Sequence, residues 1–272
     1  MHPLEQIMKC VVRIKTKTAR GSGTGTGFLY KATKTTDGAF VPVFLTNKHV
    51  IENATEATII FSILKPDGTD IEKLVEITID NLPAIIVNHP NEDVDLCAIL
   101  ADPFVDQLVR NNYSLSVVAI TPDLLASREF MNGLLPLEQV TMIGYPNGIW
   151  DHHNNGAIAR RGSIATMPEH DYHGKKQFVV DMACFNGSSG SPVFLANFGE
   201  FATRDGSFVT GSRVNLLGIL YAGPQHTAKV LGASAENENS PPIARIPNNL
   251  GYVIKAEEIL PLEKLILELP SR

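Results

Sequence analysis

The residues best suited to chemistry sit in Gly187-Ser-Ser-Gly-Ser-Pro192, a tight turn between two apolar runs. Glycines at 187 and 190 permit backbone angles that a Cβ resists, so the chain bends sharply about Ser189. Such a bend holds a hydroxyl out in a cleft and aims nearby backbone N–H groups at one point. Acyl transfer needs that pairing: an attacking oxygen, and donors for the oxyanion it creates. Short motifs recur by chance, and the plain alternative is a Gly/Ser-rich loop between two strands. A base and an acid elsewhere in the chain have to decide.

Two stretches offer them. Phe40–Thr46 reads as an apolar strand delivering Asn47-Lys-His-Val-Ile-Glu-Asn53, where the hydrophobic period changes and a short helical turn is expected. His49 thus falls at a strand end, where side chains face clefts more often than cores. His89-Pro-Asn-Glu-Asp-Val-Asp95 is a polar loop feeding Leu96–Leu100, a short buried strand. An acid at the mouth of such a strand is poorly solvated, and a histidine N–H satisfies it. Asp93 and Asp95 both qualify; Asp95 is preferred because the strand begins directly after it.

Other chemistries find less support. Gly21–Gly27 is glycine-rich, but it opens a β-type run rather than a helix and lacks a Gly-Lys-Ser/Thr ending. It reads as a flexible turn that lets backbones pass closely, not as a phosphate cradle. His152, His153, His170 and His173 have no cysteine or clustered carboxylate at ligand spacing, so no metal is expected. The 272 residues carry a net charge of -6 and no Lys/Arg stripe interleaved with aromatics, which argues against a nucleic-acid partner.

The elements that position these residues are mostly strands. Cys10–Lys15, Ala57–Leu64, Leu74–Asp80, Val140–Pro146, Gln177–Met182, Val193–Leu195 and Asn215–Gly223 read as strands. Turns are expected at Thr35–Gly38, Pro66–Gly68 and Arg204–Gly206. Asp102–Asn112 and Thr121–Asn132 read as helices, each opened by an N-cap and a proline. Asn147–Arg161 reads as a long polar loop holding the Arg160-Arg161 pair, and Ala233–Asn248 as a surface loop. Tyr252–Leu267 has helical spacing.

Cys10, Cys97 and Cys184 are odd in number, far apart and set in apolar runs, so they read as buried thiols in a reducing compartment. The N-terminus has no basic-then-apolar leader, and no segment approaches the roughly 18 apolar residues that span a bilayer. A cytoplasmic location without membrane contact is expected.

The order His49, Asp95, Ser189, with these local sequences, resembles the trypsin/chymotrypsin-like serine peptidases, most nearly the bacterial high-temperature-requirement (Deg-type) branch. Gly23-Thr-Gly-Thr-Gly-Phe-Leu29, Leu45-Thr-Asn-Lys-His-Val-Ile51, Asp95-Leu-Cys-Ala-Ile99 and Gly187-Ser-Ser-Gly-Ser-Pro192 match four successive motifs. Gly144-Tyr-Pro-Asn-Gly148, Arg161–Ala165, Asp181–Ala183 and Leu250–Ile254 are secondary matches. The resemblance implies an all-β, chymotrypsin-like double β-barrel with a C-terminal α-helix. Residues 1–108 would carry His49 and Asp95, and residues 109–272 Ser189.

It implies a serine endopeptidase acting on a protein or peptide without a cofactor. Ser189 is the nucleophile, His49 the base and Asp95 its orienting acid; the N–H groups of Gly187 and Ser189 form the oxyanion hole. Ala183 and Cys184 fall at the floor of the substrate pocket, and Tyr221, Ala222 and Gly223 along its wall and edge strand. With no acid at the floor, a small or medium apolar P1 residue is expected.

Ser188 stands where trypsin-type zymogens place an aspartate, which removes the pairing with a freshly cut N-terminus. No PDZ-like domain is expected after the terminal helix, so gating would fall to ordering of the 147–161 loop or to a regulatory protein partner. Two rivals stay open: a latent peptidase fold that only binds peptides, and an esterase or amidase. The latter's Gly-x-Ser-x-Gly elbow belongs to chains in which the histidine comes last.

Overall fold

The computed structural model describes residues 1–19, 21–33, 40–68, 71–229 and 243–269. Its first part is built from alternation. In β1 (Val11–Thr18) Val12, Ile14 and Thr16 are buried, while Arg13 and Lys15 between them are not. With β2 (Gly21–Thr33), β3 (Phe40–Thr46), β4 (Ala54–Leu64), β5 (Ile71–Asp80), β6 (Ile86–Asn88) and β7 (Cys97–Leu100), it forms a seven-stranded antiparallel sheet. The order is β5-β4-β1-β2-β3-β7-β6. Phe28, Phe44, Phe61 and Phe104 fill its core, and the rings of Phe44 and Phe104 meet edge-on with centroids 5.6 Å apart. Each such ring contributes on the order of 1.5–3 kcal/mol by leaving water.

The second part closes on itself. Strands β8 (Gln139–Gly144), β9 (Ile158–Ile164), β10 (Gln177–Asp181), β11 (Pro192–Ala202), β12 (Phe208–Ala222) and β15 (Leu250–Lys255) form a barrel in the order β10-β15-β12-β11-β8-β9. Phe178, Val193, Leu217 and Val253 lie in its interior. Two further strands, β13 (Gln225–Lys229) and β14 (Ile243–Pro247), pair as a separate hairpin.

Helices are short: α1 (Pro3–Met8), α2 (Lys48–Ile51), α3 (Asp102–Arg110), α4 (Arg128–Gly133) and α5 (Ile259–Leu267). The division expected at 108/109 falls inside α3. The last helix buries Ile259, Leu262 and Ile266 in the core of the first sheet, so the chain's end ties back to its beginning.

Several local expectations fail for physical reasons. The glycine run is not a turn but the start of β2, where Gly25 passes so close beneath Val50 that a Cβ has no room. Asp102 is the first helical residue rather than the cap, which is Ala101. Thr121–Asn132 is not one helix: a 3₁₀ turn at Pro122–Leu124 precedes α4, and Ser127 caps α4 by accepting from Phe130 N–H at 3.1 Å.

The polar loop is shorter than expected, since Arg160 and Arg161 lie in β9, paired with Met142 and Thr141. Residues 252–255, expected to open the terminal helix, pair between β10 and β12 instead. Ile243–Pro247, expected in a loop, are strand β14. The turn expected at Thr35–Gly38 and the remainder of the surface loop, 233–242, lie outside the described residues.

Candidate active site

His49 is placed by the change from strand to helix. Strand β3 ends at Thr46, Asn47 keeps extended angles as the cap, and α2 makes a single turn carrying His49. The loop before β7 is stitched to that turn. Asn47 Nδ2 donates to Asp95 O at 2.7 Å, and Lys48 Nζ donates to the carbonyls of Asn91 and Glu92, both at 3.2 Å.

Asp95 then meets His49 twice: Oδ1 accepts the His49 backbone N–H at 3.1 Å, and Oδ2 faces Nδ1 at 2.5 Å. A carboxylate at Nδ1 holds the proton on that nitrogen and leaves the Nε2 lone pair facing outward. The two side chains are 43% and 26% exposed, so the pair stands at a cleft rim. No hydrogen bond joins Asp93 to the histidine; its backbone N–H donates to Asn91 Oδ1 at 3.0 Å.

Ser189 comes from the second part of the molecule, on the turn between β10 and β11. Gly187 has φ +84°, and a Cβ there would approach Tyr145 O to 2.6 Å, so glycine is required. The carbonyl of Asn186 accepts from Asn147 N–H at 2.6 Å, and that of Ser188 from Ser191 N–H at 3.0 Å. Because N–H and C=O of a trans peptide point oppositely, these two bonds turn the N–H groups of Gly187 and Ser189 the other way. Neither N–H has an acceptor among the described residues.

His49 and Ser189 line one cavity of about 240 Å³ together with Cys184, Tyr221, Ala222 and Gly223. Asp95 stands outside it, lining a larger cavity of about 670 Å³ that shares Tyr221. Ala183 lines neither: its carbonyl turns away to accept from Arg160 Nη1 at 2.7 Å. Cys184 and Leu220 do line the smaller cavity. A Cβ built on Gly251 would come within 2.6 Å of both Cys184 Sγ and Leu220 Cδ1, so both groups pack against that glycine. Burial pushes the Cys184 thiol up to about 11, against the pull of Arg160.

Ser189 Oγ donates to Tyr221 O at 3.4 Å, and no hydrogen bond joins it to His49. Ser188, in the position of the zymogen aspartate, is fully buried, and its Oγ has no partner among the described residues.

The four loop histidines do not gather: His152 packs on Trp150 and His173 on Tyr172. Among the described residues no three His, Cys, Asp or Glu side chains are grouped to hold a metal, and no helix is long and apolar enough to cross a membrane. Sequence reasoning overlooked Asn147 and Thr26 as neighbours of the site. The Pro146-Asn-Gly148 triplet is a turn signal that pointed to the first. The second was hidden in the glycine run.

No curated protein sequence matches the chain. Among solved structures, it is similar to the HtrA-type protease AlgW with tripeptide, at 16% identity and a TM-score of 0.51. That match covers 97% of this chain and 62% of the other, so the chain spans under two thirds of AlgW's length. A serine endoprotease from Yersinia pestis matches at 16% identity, 97% and 65% coverage and a TM-score of 0.49. Tobacco etch virus protease complexed with product matches at 12%, 96% and 80%, also with 0.49. At such identities the likeness to AlgW is one of fold, the mostly-β chymotrypsin-like architecture with a short C-terminal helix. The family model for the trypsin-like peptidase domain matches residues 25–201, a stretch that includes His49, Asp95 and Ser189. The chain belongs to the trypsin-like peptidase domain family.

Proposed function

We propose that this chain is a serine endopeptidase that cleaves peptide bonds of proteins through an acyl-enzyme at Ser189. The observation that carries the reading is the convergence of His49, held at Nδ1 by Asp95, and Ser189 on one cavity beside two unengaged backbone N–H groups.

In this reading, rotation about the Ser189 Cα–Cβ bond moves Oγ from Tyr221 O to His49 Nε2. Oγ attacks the scissile carbonyl and its proton passes to Nε2. The carbonyl oxygen gains the charge and receives the N–H groups of Gly187 and Ser189. The imidazolium, steadied by Asp95, gives the proton to the leaving amine. A water activated by the same imidazole then releases the acyl group.

The substrate backbone pairs with the strand end at Tyr221–Gly223, as an added β-strand. The Cys184 and Leu220 groups at the pocket base fit a small or medium apolar P1 residue. The fold neighbour AlgW, whose structure holds a tripeptide, supports a peptide in this groove. We place the gate at the 147–157 turn, because its Asn147 amide fixes the Asn186 peptide; a regulatory protein partner that moved this turn would move that peptide. Three buried free thiols fit a reducing compartment, the cytoplasmic setting expected from the sequence.

A second reading has one observation in its favour: the Ser189 hydroxyl is bonded to Tyr221 O, not to His49. A resting site locked in that state would make the chain a peptide-binding module. Labelling by a fluorophosphonate probe, with Ser189→Ala as the control, separates the two. Labelling of the wild type that vanishes in the variant supports the peptidase. A folded wild type that never labels supports the binding module.

A further inference from the structure

The oxyanion loop, residues 186–191, is held largely by backbone. Asn186 O and Ser188 O accept from Asn147 and Ser191, and Gly190 N–H donates to Leu220 O at 2.8 Å. From the opposite side one residue of the N-terminal sheet reaches the carbonyls of both oxyanion donors. Thr26 N–H donates to Ser189 O at 2.9 Å, and Thr26 Oγ1 donates to Gly187 O at 2.9 Å. The same Oγ1 accepts from Tyr145 N–H at 3.1 Å, and Thr26 O accepts from Thr46 Oγ1 at 2.7 Å. Thr46 ends the strand that delivers His49. Gly190 lies so close to Thr26 O that a Cβ there has no room.

Thr26 is fully buried. A valine fills nearly the same volume and suits a strand equally well, so packing alone does not call for the hydroxyl. A buried hydroxyl is unfavourable unless bonded, and both of its bonds are spent on the oxyanion loop and the strand beside it. Among the described residues, Thr26 Oγ1 is the one side-chain atom donating to a carbonyl of residues 186–191. The loop it holds contains two glycines at positive φ, Gly187 and Gly190, whose backbones are intrinsically permissive.

We propose that Thr26 is a positioning residue for the oxyanion hole: its hydroxyl and N–H fix the Gly187 and Ser189 carbonyls, and so the aim of the two N–H donors. The proposal rests on the acyl-transfer reading of Ser189. Removing an oxyanion donor outright costs about a hundred- to a thousandfold in rate; misaiming both through Thr26 stays below that bound.

The test compares Thr26→Val and Thr26→Ser in the full chain. It measures kcat and KM on a chromogenic peptide amide with a small apolar P1, affinity for the matching peptide aldehyde, thermal midpoint, and the ¹⁵N–¹H shifts of Gly187 and Ser189. Thr26→Val should lower kcat and aldehyde affinity together by roughly ten- to a hundredfold with KM within about twofold. Thr26→Ser should restore both. The proposal is overturned if Thr26→Val keeps wild-type kcat, if the loss falls in KM alone, or if Thr26→Ser fails to rescue. Should the wild type neither turn over the amide nor label, the endopeptidase reading is what fails. The amide shifts then decide: movement in Thr26→Val that reverts in Thr26→Ser upholds the positioning role, and unmoved shifts overturn it.

Discussion

Asn147 donates its backbone N–H to the carbonyl of Asn186 at 2.6 Å, across the gap between the turn after β8 and the loop that carries Ser189. The bond matters because the same peptide unit holds the Gly187 N–H on its other side. Asn147 reaches it only by adopting φ 51° and ψ 25°, the left-handed region, which asparagine tolerates better than most residues.

Asn147→Val should therefore slow turnover. A β-branched residue pays about 1–2 kcal/mol in that region, enough to move the turn and loosen the Asn186 carbonyl. We expect kcat to fall about tenfold with KM little changed, and Asn147→Gly to behave as wild type. Steady-state kinetics on one peptide amide checks both. Equal rates in the valine and glycine variants would show that the bond has no catalytic consequence.

The choice between two acids makes a second prediction. Asp95 meets the His49 ring and Asp93 does not, so Asp95→Asn should lower kcat by about 10⁴-fold through loss of the useful tautomer. Asp93→Asn, a surface change, should stay within about twofold. Paired measurements of kcat for the two variants suffice, and the reverse order would reassign the acid.

How far the sequence was legible divides by the range of the interactions. His49, Asp95 and Ser189 could be read because each lies at a boundary that local pattern reveals: strand into helix, polar loop into apolar strand, glycine turn. The glycine run was misread as a turn because glycine in isolation signals a bend. Only the tertiary fold shows β2 passing beneath Val50 and against the Ser189 loop. The resemblance places Ala183 with Cys184 at the pocket floor, whereas the Ala183 carbonyl is turned toward Arg160, distant in sequence. The bonds of Thr26 and Asn147 to the Ser189 loop lie beyond local pattern for the same reason, since their partners are 161 and 39 residues away along the chain, although the turn at Asn147 is itself signalled.

The pocket base gives a third prediction. Cys184 and Leu220 both line the cavity that His49 and Ser189 share, so a smaller side chain at 184 enlarges it. Cys184→Gly should deepen it and move the preference from Ala or Val at P1 toward Leu or Met. Each methylene accommodated is worth about 1–3 kcal/mol, or roughly tenfold or more in kcat/KM. A peptide panel varied only at P1 reads the ratio; an unchanged ratio would place the P1 pocket elsewhere.

Alkaline pH should destabilise the fold through two buried thiols. Burial pushes Cys10 and Cys97 well above their ordinary value of 9.0. Below pH 9 the folded and unfolded chains both keep these protons, and the groups exert no pH effect. Above it the unfolded chain ionises while the folded chain does not, so stability falls as pH rises toward the folded value. For one such thiol the loss between pH 8 and pH 10 is on the order of 1 kcal/mol. Cys97→Ala will shift absolute stability by its own packing change, so the informative quantity is the difference between urea unfolding free energies at the two pH values. That difference should shrink in the variant, by on the order of 1 kcal/mol. An identical pH dependence with and without Cys97 would mean that its thiol ionises as readily in the folded chain as in the unfolded one, contrary to its burial.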